Sequence, residues 1–204
     1  MTIIYIHPSI QIKKISNKGD GIITNNNLNA NEIILIEKPN IFINNPKEEP
    51  MFEILYNIYN YGNIKDWNNL VPNKLLYNTL LTNFMHIKNK KIKNWLISMD
   101  KNELLLSCEK YKQNAFNMDN SKKNIKPCIL FIGAKFNHSC NPNINFRWDN
   151  KLGAMIFYTN QIINKNTELQ DNYIDITLPY ENRQKRLQEQ YKFICNCNKC
   201  LDKN

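Results

Sequence analysis

Short apolar runs separated by polar turns predict β-strands near both ends of the chain. On the amino-terminal side, strands are predicted at 10–15, 22–24 and 32–37. On the carboxyl-terminal side, the same pattern predicts strands at 129–131, 144–148, 154–158 and 174–176, with a hairpin-like connection at 149–153. The two ends are therefore predicted to form a mainly β fold.

The middle of the chain has a different period, which predicts helices. Apolar residues recur at i, i+3, i+4, i+7 and i+8 from Met51 to Tyr59, and similar stripes begin at Ile92 and, more briefly, at Leu104. We interpret residues of about 45–113 as a helical insertion whose apolar stripes pack in a core.

The charge balance favours acidic partners only weakly. The chain has 27 Lys and Arg against 18 Asp and Glu, a net charge of +9, which is typical of proteins that contact nucleic acid or acidic proteins. However, Asn, Lys and Ile are abundant throughout, as an AT-rich genome would produce, and no Arg-rich tract is present. We expect at most a weak contact with nucleic acid.

No segment predicts secretion or membrane insertion. Residues 1–8 lack a basic start followed by an apolar stretch, and no apolar run approaches the roughly 20 residues of a membrane span. We therefore expect a reducing compartment without membrane association, where clustered cysteines are metal ligands rather than disulfide partners.

The cysteine spacing predicts a zinc site. Cys195, Cys197 and Cys200 form a Cys-x-Cys-x-x-Cys run that supplies three thiolates, whereas structural zinc takes four tetrahedral ligands. Cys140, in a polar segment far upstream, is the candidate fourth ligand. Free thiols are the alternative, which this spacing disfavours. The other two cysteines, Cys108 and Cys128, fall outside the pattern and are expected to be buried.

Several motifs occur in a fixed order along the chain. They are Lys18-Gly19-Asp20-Gly21-Ile22, the strand from Asn31 to Pro39, Asn114-Ala115-Phe116, Asn137-His138-Ser139-Cys140-Asn141-Pro142-Asn143, Glu168-Leu169-Gln170-Asp171-Asn172-Tyr173, and Tyr191-x-Phe193-x-Cys195-x-Cys197-x-x-Cys200. In this order they resemble the motifs of the SET-domain lysine methyltransferases, and the SMYD-like branch is the most similar. The resemblance covers about 1–44 and 114–200.

The resemblance implies a domain organisation. It predicts a SET fold of short twisted sheets around a pseudoknot at 1–178, interrupted by the helical insertion, and a post-SET helix and zinc-binding tail at 179–204. A last helix is predicted after Pro179, where Arg183, Leu187 and Tyr191 are spaced by four. The insertion contains a single cysteine, so the MYND zinc finger of the SMYD branch is not expected there.

The resemblance also assigns S-adenosylmethionine as the cofactor. It implies that Lys18, Gly19, Asp20 and Gly21 hold the amino-acid head group, since glycine permits close approach of a ligand. Further implied contacts are those of Asn137 and His138 near the adenine, of Asn114 at the ribose or head group, and of Tyr173 and Phe193 beside the reacting end. A structural zinc ion is implied at Cys140, Cys195, Cys197 and Cys200.

Tyr173 is the predicted catalytic residue. Methyl transfer to lysine is an in-line displacement that needs a neutral amine, yet free lysine has a pKa of about 10.4. An apolar channel beside a positive sulfur disfavours the ammonium form, and a tyrosine oxygen then orients the amine. Tyr191 and Phe193 are expected to wall this channel or to cover the cofactor, and ordinary packing below the last helix is the alternative.

The predicted function is methylation of a protein lysine by a monomeric enzyme, with a histone tail as the first candidate substrate and with the nucleus, the cytoplasm or both as its location. The alternative is a non-catalytic, zinc-stabilised interaction module, because Asp171 and Asn172 stand where the family prefers apolar or small residues. A cysteine hydrolase that uses Cys140 and His138 is disfavoured, because Cys140 is better used by zinc.

Overall fold

The computed structural model describes residues 2–75, 84, 86–120 and 124–202. A surface loop predicted at 121–124 lies largely outside the described residues. The strands are β1 (Thr2–Ile6), β2 (Ile10–Ile15), β3 (Gly19–Thr24), β4 (Ile33–Lys38), β5 (Ile41–Phe42), β6 (Ala115–Asn117), β7 (Pro127–Ile129), β8 (Asn137–His138), β9 (Ile144–Asp149), β10 (Ala154–Thr159) and β11 (Glu168–Asp171). The helices are α1 (Pro50–Tyr61), α2 (Ile64–Asn68), α3 (Lys90–Ser98), α4 (Lys101–Asn114), α5 (Tyr180–Tyr191) and α6 (Asn198–Leu201).

The chain divides into two compact units, of which Ile3–Lys38 and Ile132–Asn204 form one. This unit contains two four-stranded sheets, with strand orders β1-β4-β10-β9 and β2-β3-β11-β8. The inner strand β10 is buried along almost its whole length, and the Phe157 ring packs on Phe136 and Phe146 at centroid distances of 5.0 and 5.6 Å. This apolar core supports the sheets that hold the candidate site.

The hairpin predicted at 149–153 is confirmed. Strands β9 and β10 pair antiparallel with Asp149 opposite Ala154. The Asp149 carboxylate accepts hydrogen bonds from the backbone N–H groups of Lys151 and Leu152, and Gly153 has a φ of +58°. Aspartate supplies such local acceptors readily, and glycine takes a left-handed conformation without a Cβ clash, so these residues specify the turn.

A short parallel pairing joins two segments that are distant in sequence. Gln170 and Asp171 of β11 lie opposite Asn137 and His138 of β8. The pairing continues beyond β8, because the Ser139 N–H donates to the Asp171 carbonyl at 2.8 Å. These bonds bring the Asn137–Asn143 motif against the segment that leads to Tyr173. The predicted pseudoknot stays a prediction.

The other unit, Met1–Thr2 and Pro39–Phe131, contains α1–α4 and a three-stranded sheet ordered β5-β7-β6. The helices predicted from the Met51 and Ile92 stripes are confirmed as α1 and α3. The stripe at Leu104 belongs to α4, which has 14 residues and is longer than predicted. The Asp100 carboxylate caps α4 by accepting from two backbone N–H groups, a start signal that the apolar spacing does not reveal.

Two strand predictions need correction. Residues 174–176 do not form a strand. Instead, the Asp175 carboxylate accepts hydrogen bonds from the Thr177 N–H and hydroxyl, and this local turn replaces strand pairing. The strand predicted at 129–131 is β7, which ends at Ile129. The predicted limits of the insertion and of the tail stay predictions.

Helix α5 ends at Tyr191, and the capping residue Lys192 has a φ of 64°. The last helix predicted after Pro179 is thereby confirmed, and the chain turns sharply into the cysteine run. Asn31 and Asn166 also have positive φ values, 63° and 64°. Asparagine tolerates this conformation better than most residues do. In the described residues, no helix is both long enough and apolar enough to cross a membrane.

Candidate active site and cysteine cluster

Tyr173 and His138 form the centre of the candidate active site. The Tyr173 backbone N–H donates to His138 Nδ1 at 3.0 Å, and the two rings lie 5.3 Å apart. The Tyr173 hydroxyl donates to the Phe136 carbonyl at 2.7 Å. Tyr173 is therefore fixed at its backbone and at its hydroxyl, with the lone pairs of the hydroxyl oxygen still able to accept hydrogen bonds.

Two further aromatic side chains complete this cluster. The Tyr191 ring lies 4.8 Å from the Tyr173 ring, and its hydroxyl donates to the Tyr173 carbonyl at 3.3 Å. The Phe193 ring lies 5.9 Å from His138 and 6.4 Å from Tyr191. The end of α5 and the residues after it therefore place the predicted channel residues beside the predicted catalytic tyrosine.

Burial keeps the rings of this cluster uncharged near neutral pH. Burial, with a smaller effect of the Asp171 charge, raises the pKa of Tyr173 well above its usual range and that of Tyr191 to about 12. Burial, together with the positive charges of Arg183 and Lys18, lowers the pKa of His138 to about 4. Both phenols keep their protons and the imidazole stays neutral.

The predicted glycine turn lies against Asn137. A Cβ at Gly21 would lie 2.5 Å from Ile15 Cγ1 and 2.7 Å from Asn137 Nδ2, so no larger residue fits without displacement. The Asn137 amide donates to the Asp20 carbonyl at 3.1 Å and to Glu168 Oε1 at 2.8 Å. The structure thereby brings the first glycine motif, the central motif and the Glu168 segment together.

Lysine side chains surround the polar edge of this turn. Lys135 and Lys14 lie 2.7 and 2.6 Å from the Asp20 carboxylate, and hydrogen bonds from Lys135 and then from Lys14 lower the pKa of that carboxyl. Lys18 pairs with Glu168 at 2.7 Å. Lys18 thus orients Glu168, which in turn accepts from Asn137. Sequence reasoning did not give Lys135 or Glu168 individual roles.

The Asn143 side chain links the central motif to β11, a role that sequence reasoning also missed. Its side-chain amide donates to the Glu168 carbonyl, and its side-chain oxygen accepts from the Gln170 N–H, both at 2.8 Å. It therefore fixes the end of the central motif to β11 through both sides of one amide group. The position of Asn143 at the end of that motif was the only sequence signal.

Asn114 belongs to the other compact unit. Its side-chain amide donates to the Val71 carbonyl at 2.6 Å and to the Lys110 carbonyl at 2.8 Å. The bond to Lys110 lies within α4 and the bond to Val71 links α4 to a distant segment of the same unit, so Asn114 has a structural role within its own unit. Its predicted contact with a cofactor stays a prediction.

Four cysteines converge in the first unit. The Sγ atoms of Cys140, Cys195, Cys197 and Cys200 all lie within 4.8 Å of one another. Tetrahedral zinc with Zn–S bonds of about 2.3 Å needs sulfur atoms roughly 3.8 Å apart, so the cluster fits with a small contraction. The thiolate donor set and the number of ligands also suit structural zinc. Cys108 and Cys128 are buried in the other unit, as expected.

Within the cluster, the Cys197 thiol has a lowered pKa and loses its proton more readily than an ordinary thiol does. Burial opposes ionisation of Cys197, but hydrogen bonds, first from the Cys200 backbone, lower its pKa to about 7. By contrast, burial raises the pKa of the fully buried Cys140 thiol strongly. Although His138 Nε2 lies 3.3 Å from Cys140 Sγ, that sulfur is neither exposed nor activated. This argues against a cysteine hydrolase.

Arg183 is a buried cation beside the cysteines. Its side chain is 1% exposed, Nη1 donates to the Leu178 carbonyl at 2.6 Å, and Nη2 lies 3.9 Å from Cys200 Sγ. Sequence reasoning assigned Arg183 only a position in the last helix. Its charge partner could be recognised only once the fold brought the helix to the cluster.

The comparisons with known proteins agree with this geometry. The sequence model of the SET domain family matches residues 19–174. A SET domain-containing protein of Acanthamoeba polyphaga mimivirus is 36% identical over 199 residues, which cover 92% of this chain and 75% of the relative. The chain therefore belongs to the SET domain family.

Other relatives align over shorter segments. N-lysine methyltransferase SMYD2-A of Danio rerio is 32% identical over 92 residues, 45% of this chain and 21% of the relative. Histone-lysine N-methyltransferase set5 of Schizosaccharomyces pombe is 29% identical over 90 residues, 44% of this chain and 27% of the relative. This chain thus matches only about a quarter of each of these two proteins.

A solved structure supports the fold. The SET domain of LSMT, bound to lysine and AdoHcy, superposes with a TM-score of 0.65 over 94% of this chain and 54% of that chain, at 10% identity. At this identity the likeness concerns the fold alone. The predicted mainly β SET fold with a helical insertion is confirmed by this likeness together with the family match.

Proposed function

We propose that this chain transfers the methyl group of S-adenosylmethionine to the side-chain amine of a protein lysine. The observation that carries the proposal is the fixed position of Tyr173 in an aromatic cluster, with its backbone N–H bound to His138 and its hydroxyl bound to the Phe136 carbonyl. Membership of the SET family and the named lysine methyltransferases among its relatives support the reaction class.

In this proposal, the cofactor lies beside the glycine turn and the central motif. The backbone of Lys18 to Gly21 would hold the amino-acid head, while Asn137 and His138 would contact the adenosine part. The close packing of Gly21 against Asn137 supports this assignment, because it brings the glycine turn and the central motif together at one place. When bound, the cofactor supplies an electrophilic methyl group on a positively charged sulfur.

The chain's own residues then act mainly by orientation. Because the Phe136 carbonyl accepts the phenol proton, the Tyr173 oxygen presents its lone pairs to the N–H groups of an incoming amine. The rings of Tyr191 and Phe193 exclude water from the path of that amine. Exclusion of water favours the neutral, nucleophilic amine over the ammonium form.

The proposed substrate is a protein lysine, with histones tested first. One relative is named a histone-lysine N-methyltransferase and another an N-lysine methyltransferase, so both histone and non-histone targets fit the family. We propose a monomer that acts in the nucleus, the cytoplasm or both, with zinc in a structural role at the four cysteines. A weak contact of the basic chain with nucleic acid would assist on chromatin.

A labelled-methyl assay tests the proposal. The purified zinc-containing chain is incubated with S-adenosyl-[methyl-³H]methionine and either core histones or a cell extract. We expect labelled lysine, and we expect Tyr173→Phe to lower the rate by about 100-fold or more, since it removes the oriented oxygen. Tyr158→Phe, in strand β10, is the matched control and should retain full activity.

A non-catalytic interaction module is the second candidate. The buried Asp171 favours it, because a polar residue stands there where the family prefers apolar or small residues. Stable association with histones or extract proteins, without methyl transfer by a chain that binds zinc, would support the module and contradict the enzyme.

A further inference from the structure

Asp171 is a buried acidic residue at the end of β11. The residue is 2% exposed, and its Oδ1 atom makes no hydrogen bond in the part of the chain that the structure describes. No ion pair connects it to a described lysine or arginine. A buried carboxyl oxygen without a partner is costly, so a functional partner is the natural explanation.

The surroundings of Asp171 are those of the candidate active site. His138 of β8 is its pairing partner across the sheet. It lies two residues before Tyr173 along the chain, and its negative charge adds to the effect of burial in raising the pKa of Tyr173 and of Tyr191. Glu168, the other acidic residue of β11, is already bound to Lys18 and Asn137. Asp171 is therefore the acidic group of the site that remains available.

We propose that Asp171 receives the ammonium group of the substrate lysine and removes one proton from it before methyl transfer. This inference rests on the proposed function. One N–H bond of the ammonium breaks and an O–H bond forms on the Asp171 carboxylate, which leaves the electron pair on nitrogen. That pair forms the new N–C bond as the C–S bond breaks with its electrons going to sulfur. Asp171 returns its proton to water when the methylated product leaves.

Burial makes this transfer energetically possible. An exposed carboxylate is far too weak a base for an exposed lysine ammonium, whose pKa is about 10.4. Desolvation raises the pKa of the Asp171 carboxyl well above its usual range, and the same apolar surroundings lower that of an amine. The two pKa values therefore approach each other, as efficient proton transfer requires.

The pH dependence of kcat/KM tests this role, with a peptide of the labelled histone or extract protein as substrate. The wild-type enzyme accepts lysine in its ammonium form and should reach its plateau near neutral pH. The Asp171→Asn variant lacks this base, so it can use only the fraction of lysine that is already neutral in solution. We expect its kcat/KM to be at least about 10-fold lower at about pH 7.5 and to rise about tenfold per pH unit toward the lysine pKa of about 10.4.

The neighbouring groups leave this pH window clear. Burial keeps the pKa of His138 at about 4 and that of Tyr191 at about 12, and it raises that of Tyr173 as well. Glu168 is held in its ion pair with Lys18. Asp175→Asn is the matched control, because it removes the same charge from an exposed residue four positions along. Its profile should follow that of the wild type.

If kcat/KM of the wild type and of Asp171→Asn changes with pH in the same way, the proposal is overturned, whatever the ratio of the two rates. A structural role would shift the rate without changing its pH dependence. Zinc content and calorimetric binding of S-adenosylmethionine verify that the variant is folded. If the wild-type chain binds the cofactor but methylates no protein, the proposed function fails, and the role of Asp171 fails with it.

Discussion

Arg183 is placed where it would stabilise a metal ion at the cysteine cluster without binding that ion. Zinc bound to four thiolates carries a net charge of about −2, which is costly to bury. The buried Arg183 guanidinium, 3.9 Å from Cys200 Sγ, offsets part of that charge. Outer groups of this kind tune the affinity of a site for its metal.

Replacement of Arg183 should therefore weaken zinc binding. We expect Arg183→Gln to lower zinc affinity by about 10- to 100-fold, measured by competition with a chromogenic chelator. Arg183→Lys, which keeps the charge, should recover part of the loss. Arg186→Gln removes an exposed charge from the same helix and is the control. Equal affinities for all these proteins would contradict the role of Arg183.

At the scale of residues, ordered motifs identified candidate site residues that isolated side chains could not identify. Tyr173, His138 and Cys140 could be singled out because each stands at a fixed place in an ordered motif. Arg183 and Asn143 could not be assigned in this way. Their roles depend on groups brought to them by folding, namely a sulfur atom of the tail and the backbone of β11.

At the scale of elements, the tail after α5 connects the cysteine cluster to the candidate active site. Lys192 turns the chain, Phe193 then lies beside His138, and Cys195 enters the cysteine cluster within two further residues. The same cluster contains Cys140, two residues from His138. Metal binding at this point would hold both walls of the aromatic cluster in place.

Removal of zinc should consequently loosen this tail while leaving the β9–β10 hairpin intact. We expect a chelator to increase hydrogen exchange at 192–201 by at least about tenfold, measured by mass spectrometry, since the cross-link that orders the tail is lost. Cys197→Ser should have the same effect, and Cys108→Ser, outside the cluster, should not. Unchanged exchange in the tail after metal loss would refute a structural zinc site.

Local signals explain which elements were predicted. The β9–β10 hairpin has its turn residues in sequence, and α1 has a continuous apolar stripe. The two-residue strand β8 has neither, because it exists only through its pairing with β11, more than thirty residues away. The error at 174–176 has the converse cause: a β-branched pattern was present, but a side-chain turn at Asp175 satisfied the backbone instead.

At the scale of the whole molecule, the amino- and carboxyl-terminal parts of the chain fold into one unit that contains the candidate active site and the cysteine cluster. The intervening residues form a second unit with its own helices and small sheet. The net charge of +9 is a property of the entire chain and selects no particular partner. The proposed function of the whole molecule therefore depends on binding of the cofactor rather than on net charge.

Calorimetric titration of the zinc-containing chain with S-adenosylmethionine is the most direct test. We predict saturable one-to-one binding that is weakened at least about tenfold by Asn137→Ala, which removes the bonds to Asp20 and Glu168. Asn94→Ala, on the exposed side of α3, should bind as the wild type does. A folded, zinc-containing chain that binds no S-adenosylmethionine would contradict the account of this protein as a methyltransferase.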